Sequence, residues 1–345
     1  MTEFNELRRN ITAIDRSISI HKKFPLQIFI GVFWMALIAG MIALNLKYEL
    51  PLTISILSSL IIGIAFSVLN FFNHELLHGS MTRSLPLMRL MSYPGFFILC
   101  LSAELWRTWH NQLHHFNTNQ LGGVDPDLAG DWDRLKNRKL GKLILKMIPG
   151  WRSWPSYIAM PVIFSAQCIN VTWVRSRERP KLYSSMSRKR VVTETLIYYL
   201  IWAVLLFTLS FQHFFFLFLI PMGITNIVII NYVGLPHNMR PLSQDNKPLL
   251  TAISLKSPWI LDLIFFNFGH HCEHHVFPEA NHTYLPRVRK ILLKEYPHDF
   301  HLVTHWKALQ AFYKTPRAYL DHDHLFDPTT LRKVNLTKLA ETEFS

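Results

Sequence analysis

The sequence predicts an all-α integral membrane protein: four transmembrane helices paired as two hairpins, interfacial or re-entrant helices between them, and a cytoplasmic helical cap. Three observations lead there. Half of the 345 residues are hydrophobic and only 17% are charged, too apolar for a soluble protein of this size and too charged for one lying wholly in a bilayer. Long apolar runs come in two closely spaced pairs, 24–46 with 52–72 and 193–211 with 214–235. The polar remainder carries histidines in tight groups, at the ends of those runs rather than within them.

In chain order, residues 1–23 are polar and basic and end in His21, Lys22 and Lys23. The run 24–46 would span about 34 Å as a helix, enough to cross a bilayer core. Lys22 and Lys23 place its start in the cytoplasm. After a polar turn and Pro51, the run 52–72 returns to that side and delivers His74 there. Leu85 to Ala103 is apolar but interrupted by Arg89, Pro94 and Gly95. Those breaks, and the need for His110 to share a side with His74, make it re-entrant or interfacial. Residues 117–127 form a turn-rich loop, and 131–152 are charged and helical in pattern. The stretch 157–174 contains Pro161, Gln167 and Asn170. Its crossing would export the basic segment 175–190, against the positive-inside bias, so it too stays at the surface.

The runs 193–211 and 214–235 form the second hairpin, with Gln212 and His213 as connector; this leaves His213 on the surface, away from the other groups. Pro221 and Gly223 are tolerated within a membrane helix. An amphipathic helix opens near Tyr284 after a proline turn. His282, His298, His301, His305, His322 and His324 are scattered among charges and read as solvated. The whole is one domain over 1–345, with 73–192 and 236–345 cytoplasmic or interfacial.

The net charge of +13 fits basic cytoplasmic loops flanking apolar runs, not nucleic-acid binding. Cys100, Cys168 and Cys272 show no CxxC spacing, which argues against disulfides, zinc–thiolate and iron–sulfur sites. No early apolar segment with a small-residue cleavage site is present, so no removable signal peptide is expected.

The chemistry lies in the histidine groups: His74-x-x-x-His78, His110-x-x-x-His114-His115 and His271-x-x-His274-His275, with His237 emerging from the fourth run. Residues four apart share a helix face, and the two hairpins bring all nine imidazoles to one side of the bilayer. One zinc takes three or four protein ligands, so nine suit two ions better. Neutral nitrogen donors hold first-row ions such as iron and leave positions open for oxygen. Glu75, Asp125, Asp127 and Glu273 are candidates to orient imidazoles by accepting their other N–H, with plain salt bridges the competing reading. His74-Glu75-x-x-His78 also matches the zinc-protease pattern, with Glu75 as base, but that leaves seven clustered histidines unused. A metal transporter would instead carry its site near the bilayer midplane.

In order and spacing, the three groups resemble the membrane-bound fatty acid desaturase family. Trp109, Thr118-Asn119, Asp125-Pro-Asp127, Glu273 and Val276-Phe-Pro278 look similar too. The resemblance, over residues 24–315, implies a non-haem di-iron centre with O₂ as co-substrate, held by the boxes and by His237. Relatives often add an asparagine one turn before that histidine; here Val233 stands there, and Asn231 or Asn238 would have to substitute. His271 occupies a position that is glutamine in many relatives, and His270 is a further, lower-ranked donor. No His-Pro-Gly-Gly cytochrome motif is present. Electrons are therefore expected from a separate ferredoxin, or from a b-type cytochrome with its reductase. The implied reaction removes two hydrogens from neighbouring methylenes of a membrane lipid or acyl thioester, consuming two electrons and two protons. Trp106, Trp109, Phe265 and Phe268 are candidates to line the chain's channel, with ordinary packing the competing role. A hydroxylase acting on lipids, alkanes or carotenoids would use the same fold and ligands. The boxes are expected to face the cytoplasm, at a bacterial inner membrane or the endoplasmic reticulum.

Overall fold

The computed structural model describes residues 3–19, 25–122, 125, 130, 132–137, 139–148, 154–328 and 330–343. In chain order the principal helices are α1 (Glu3–Ile14), α2 (Ile28–Lys47), α3 (Leu52–Leu77), α4 (Leu85–Phe97), α5 (Arg107–His114), α6 (Arg188–Thr208), α7 (Phe211–His237), α8 (His271–Val276), α9 (Leu285–Glu295) and α10 (His305–Lys314). The chain divides into two units. One, the hairpin unit, comprises Lys22–Trp109 and Pro161–Ile229; the other, the histidine-rich unit, comprises Met1–His21, His110–Met160 and Ile230–Ser345.

Among the described residues, α2, α3, α6 and α7 are the four helices long and apolar enough to cross a membrane. Their outward faces are hydrophobic: Phe29, Phe33, Leu200, Phe207 and Phe211 are all exposed. Such faces are stable against lipid, not water, and the protein is a membrane protein. Small residues let these helices approach closely. A Cβ on Gly31 would meet the Phe72 ring at 2.5 Å, and one on Gly63 would meet Ile224 at 2.7 Å.

Helix ends differ from the hydropathy reading, because capping rather than apolarity sets them. Ser187 caps α6, its hydroxyl accepting from Arg190 N, so the helix starts with its basic residues already inside. Ser210 caps α7 in the same way. Gln212 and His213 thus belong to the first turn of α7, and the connector is Leu209–Ser210. The 13 residues of α4 make about 20 Å of helix, short of a bilayer core. The apolar stretch 157–174 is interrupted after Ala159, and the helix that resumes at Ile163 carries a π turn over Val171–Arg175 and ends at Glu178, about 24 Å long and short of a bilayer core.

The histidine-rich unit holds features that the sequence reading lacked. The polar N-terminus forms α1, which buries Leu7 and Ile11 with Cys272 and Val276 of α8 and with Val288 and Leu292 of α9. Short strands pair Ser254–Lys256 in parallel with Leu302–Thr304. Ala318–Tyr319, His324–Phe326 and Lys333–Asn335 form an antiparallel ribbon. These strands are two or three residues long, and the class remains all-α.

Candidate metal centre

The first histidine pair ends α3 in the hairpin unit. That helix runs past membrane length, with His74 in its last turn and His78 at its C-cap. The two rings lie 4.7 Å apart, and the edge of Trp106 meets both at about 5.5 Å. Two asparagines hold this end of α3 to α4: Asn70 donates to Gly95 O at 3.0 Å and Asn73 to Ser92 O at 2.9 Å. Glu75, 3% exposed, lies 3.3 Å from His74 Nδ1 and is approached by the Ser80 hydroxyl.

The second group sits on α5, which winds as a π-helix. His115 N donates to His110 O, five residues back, at 3.1 Å. The wide turn sets His110 beside His114 and His115 together, which 3.6-residue spacing does not do. His115 Nε2 lies 3.1 Å from His110 Nε2 and 3.2 Å from His274 Nε2. His114 turns elsewhere. With His237, His271 and His275 it forms a buried set of four, whose ligating atoms all lie within 4.8 Å of one another. Neighbouring residues of one box therefore serve different sets: His114 and His115 part company, as do His275 and His274.

Hydrogen bonds decide which nitrogens face inward in the four-histidine set. His114 Nδ1 donates to Asp125 Oδ1 at 3.0 Å, and His237 Nδ1 donates to Thr251 O at 2.9 Å. Thr118 gives its one hydroxyl proton to His114 O, so it accepts from His275 Nδ1 at 3.2 Å. Three neutral imidazoles thus carry their proton on Nδ1 and leave a bare Nε2 lone pair. His237 Nε2 lies 2.7 Å from His271 Nε2, which lies 3.2 Å from His275 Nε2. His271 Nε2 carries at most one proton and can donate to only one of these neighbours, so lone pairs still converge in the set, and a divalent metal ion would satisfy all four. Burial, and then the imidazoles of His115 and His237, hold His275 well below its ordinary pKa, so it is neutral near pH 7. Burial pushes the Cys272 thiol in the opposite direction, and it supplies no thiolate here.

The remaining predicted residues take up varied positions. Asp125 orients His114; Asp127 lies outside the described residues. Glu273 does not orient an imidazole. Its carboxylate, fully buried, accepts from Arg289 Nε at 2.5 Å and from the Ser254 hydroxyl. Asn231 accepts from the Tyr313 hydroxyl at 2.7 Å through its amide oxygen. Asn238 is half-buried just beyond α7. His270 sits at the N-cap position of α8, outside both sets, its pKa lowered to about 3 by burial. His282 is buried, not solvated, and its Nδ1 meets the Asn267 amide at 3.2 Å. His213 pairs with Ser210 at the start of α7. Trp109 stacks on Phe164, and Phe265 packs against Tyr232; Trp109 and Phe265 are both buried. Phe268 lies 4.9 Å from the His271 ring. The orienting role of Thr251 had no sequence signal, because it acts through a backbone carbonyl.

A family model described as fatty acid desaturase matches residues 51–308, well over half of the chain. The chain belongs to the fatty acid desaturase family. Among curated proteins, none matches it significantly. Family and donor sets together support a metal-dependent enzyme of the desaturase or hydroxylase type.

Proposed function

We propose that this desaturase-family protein introduces a double bond into a fatty acyl chain, using O₂ and a pair of iron ions. The four-histidine set would hold one iron. His110, His115 and His274 would take part in holding the other, and the pair His74 and His78 is a further donor group. The observation that carries the reading is the convergence of bare Nε2 atoms from His114, His237 and His275, each fixed by a bond on its opposite nitrogen. Bound there, the iron pair would supply O₂ activation and hydrogen abstraction from an unactivated methylene. The balanced reaction turns CH₂–CH₂, O₂, two electrons and two protons into CH=CH and two waters.

The chain's own residues would orient the donors, exclude water and seat the hydrocarbon. Asp125, Thr118 and Thr251 orient imidazoles and stabilise their neutral Nδ1–H tautomers. In the hairpin unit a cavity of about 550 Å³ lies between helices, lined by Ile38, Phe66, Leu69, Phe97 and Leu205 with Tyr93 and Glu194 among the polar groups. Its size and lining suit an acyl chain. Leu69, one of its lining residues, lies five residues before His74 on α3. The boxes would face the cytoplasm, where a separate electron carrier docks.

Expression in a host with a simple lipid profile, followed by mass spectrometry of its fatty acids, tests the proposal. A product lighter by one H₂, absent in His114→Ala, is the expected result. A product heavier by one oxygen atom would make the protein a hydroxylase. An unchanged profile, from protein with bound iron and a working reductant, would reject both. A membrane zinc protease built on His74 and His78 predicts a lone zinc and complete loss of activity in Glu75→Gln.

A further inference from the structure

Asn119 follows the second box and lies in the loop that carries Asp125. It is fully buried, and its backbone is left-handed with φ of 51°. Asparagine tolerates that region better than most residues, and glycine better still. A tight turn alone would explain the residue if its side chain did nothing. Instead, Nδ2 donates to His237 O at 2.9 Å, and meets Arg240 O at 3.2 Å and Pro241 O at 3.3 Å. Three carbonyls around one terminal atom assign it as the nitrogen. The same residue's backbone N–H donates to Asp125 Oδ2 at 3.1 Å, while Asp125 Oδ1 holds His114. Its own carbonyl accepts from Ser243 N at 2.9 Å.

One residue therefore grips both sides of the four-histidine set. Through its main chain it holds the carboxylate that orients His114. Through its side chain it holds the carbonyl of His237 and the turn beyond. These two histidines come from segments more than a hundred residues apart, and no disulfide joins those segments. We infer that Asn119 is a positioning residue that fixes the separation of His114 from His237, and so the metal affinity of the four-histidine set but not of the other set. The inference rests on the reading of that set as a metal site.

Asn119→Gly separates positioning from turn-making. Glycine keeps the left-handed backbone and the N–H to Asp125 and deletes only the amide. Asn119→Asp keeps the size and the turn, and sets a carboxylate against three carbonyl oxygens. The full-length protein would be stripped with chelator and reloaded with ferrous iron without oxygen. Retention would then be measured by iron content against a competing chelator, and the fold by thermal melting of the metal-free protein. The expected result is about 10–100-fold weaker retention of one of the two ions in both variants. The other ion stays at wild-type affinity, and the metal-free Asn119→Gly protein melts as wild type does. His271→Ala, run in parallel, should lose the same ion. Wild-type retention of both ions by Asn119→Gly, with one lost from His271→Ala, overturns the inference alone. Retention of both ions by His271→Ala overturns the metal reading, and the inference with it. Equal weakening of both ions in Asn119→Gly also overturns the inference.

Discussion

Replacing Glu273 with alanine would test how α8 is held while it presents three histidines to two donor sets. The carboxylate is fully buried, and the Arg289 side chain is only 12% exposed. Breaking a buried ion pair by removing one partner costs about 3–5 kcal/mol, because the other charge is left uncompensated. Arg289 keeps its bond to Gly269 O at 3.1 Å and some contact with water, which places the cost near the lower end. A loss of about 3 kcal/mol lowers the folding constant by roughly two orders of magnitude. Glu273→Gln, which can still accept from Arg289 and Ser254, should lose about half as much. The assay is chemical denaturation of the purified protein in detergent micelles, followed by tryptophan fluorescence. Arg289→Met and the double variant complete a thermodynamic cycle. A coupling below about 0.5 kcal/mol, or a Glu273→Ala loss below about 1 kcal/mol, would refute the idea that this pair anchors the helix.

Other predictions follow from single contacts. Asp125→Ala removes the acceptor for His114 Nδ1 and should weaken retention of one iron about 10–100-fold, read by chelator competition. Gly95→Ala would set a Cβ 2.6 Å from Asn73 Nδ2 and 3.0 Å from Leu69 Cβ; the forced separation of α3 from α4 should cost about 1–3 kcal/mol, read as a lower melting temperature. Burial raises the Asp262 carboxyl from 3.8 to about 6, opposed by Arg289 and reinforced by Glu273. The folded state therefore binds this proton more tightly than the unfolded state does, and the stability it contributes is lost as pH rises from about 4 through about 6. Asp262→Asn should match wild type at the low end of that range and exceed it above, with the histidine titrations cancelling in the difference.

The four long helices and the three histidine boxes were legible because both are periodic signals: unbroken apolarity for the spans, and histidines three to five residues apart for the boxes. What decides the site was less legible. The spacing from His110 to His115 reads as two faces of an α-helix, and only the π winding of α5 brings them together. Glu273, set among histidines in sequence, pairs with Arg289 because helix rotation turns it away from them. Asn231 is taken by Tyr313, a partner 82 residues distant. His282 lies among polar residues in sequence but packs under Phe266 and Asn267. The buried face of α1, with Leu7 and Ile11 four apart, was visible in the sequence and was masked by the surrounding charges.

The division of adjacent histidines between the two sets has a mechanical consequence. His114 with His115, and His274 with His275, act as two forks, each prong belonging to a different donor set. A rotation of either helix would displace donors of both sets together. The spacing of the two donor sets is thus tied to helix register, and deletion of a single residue in α5 would misplace donors of both sets at once.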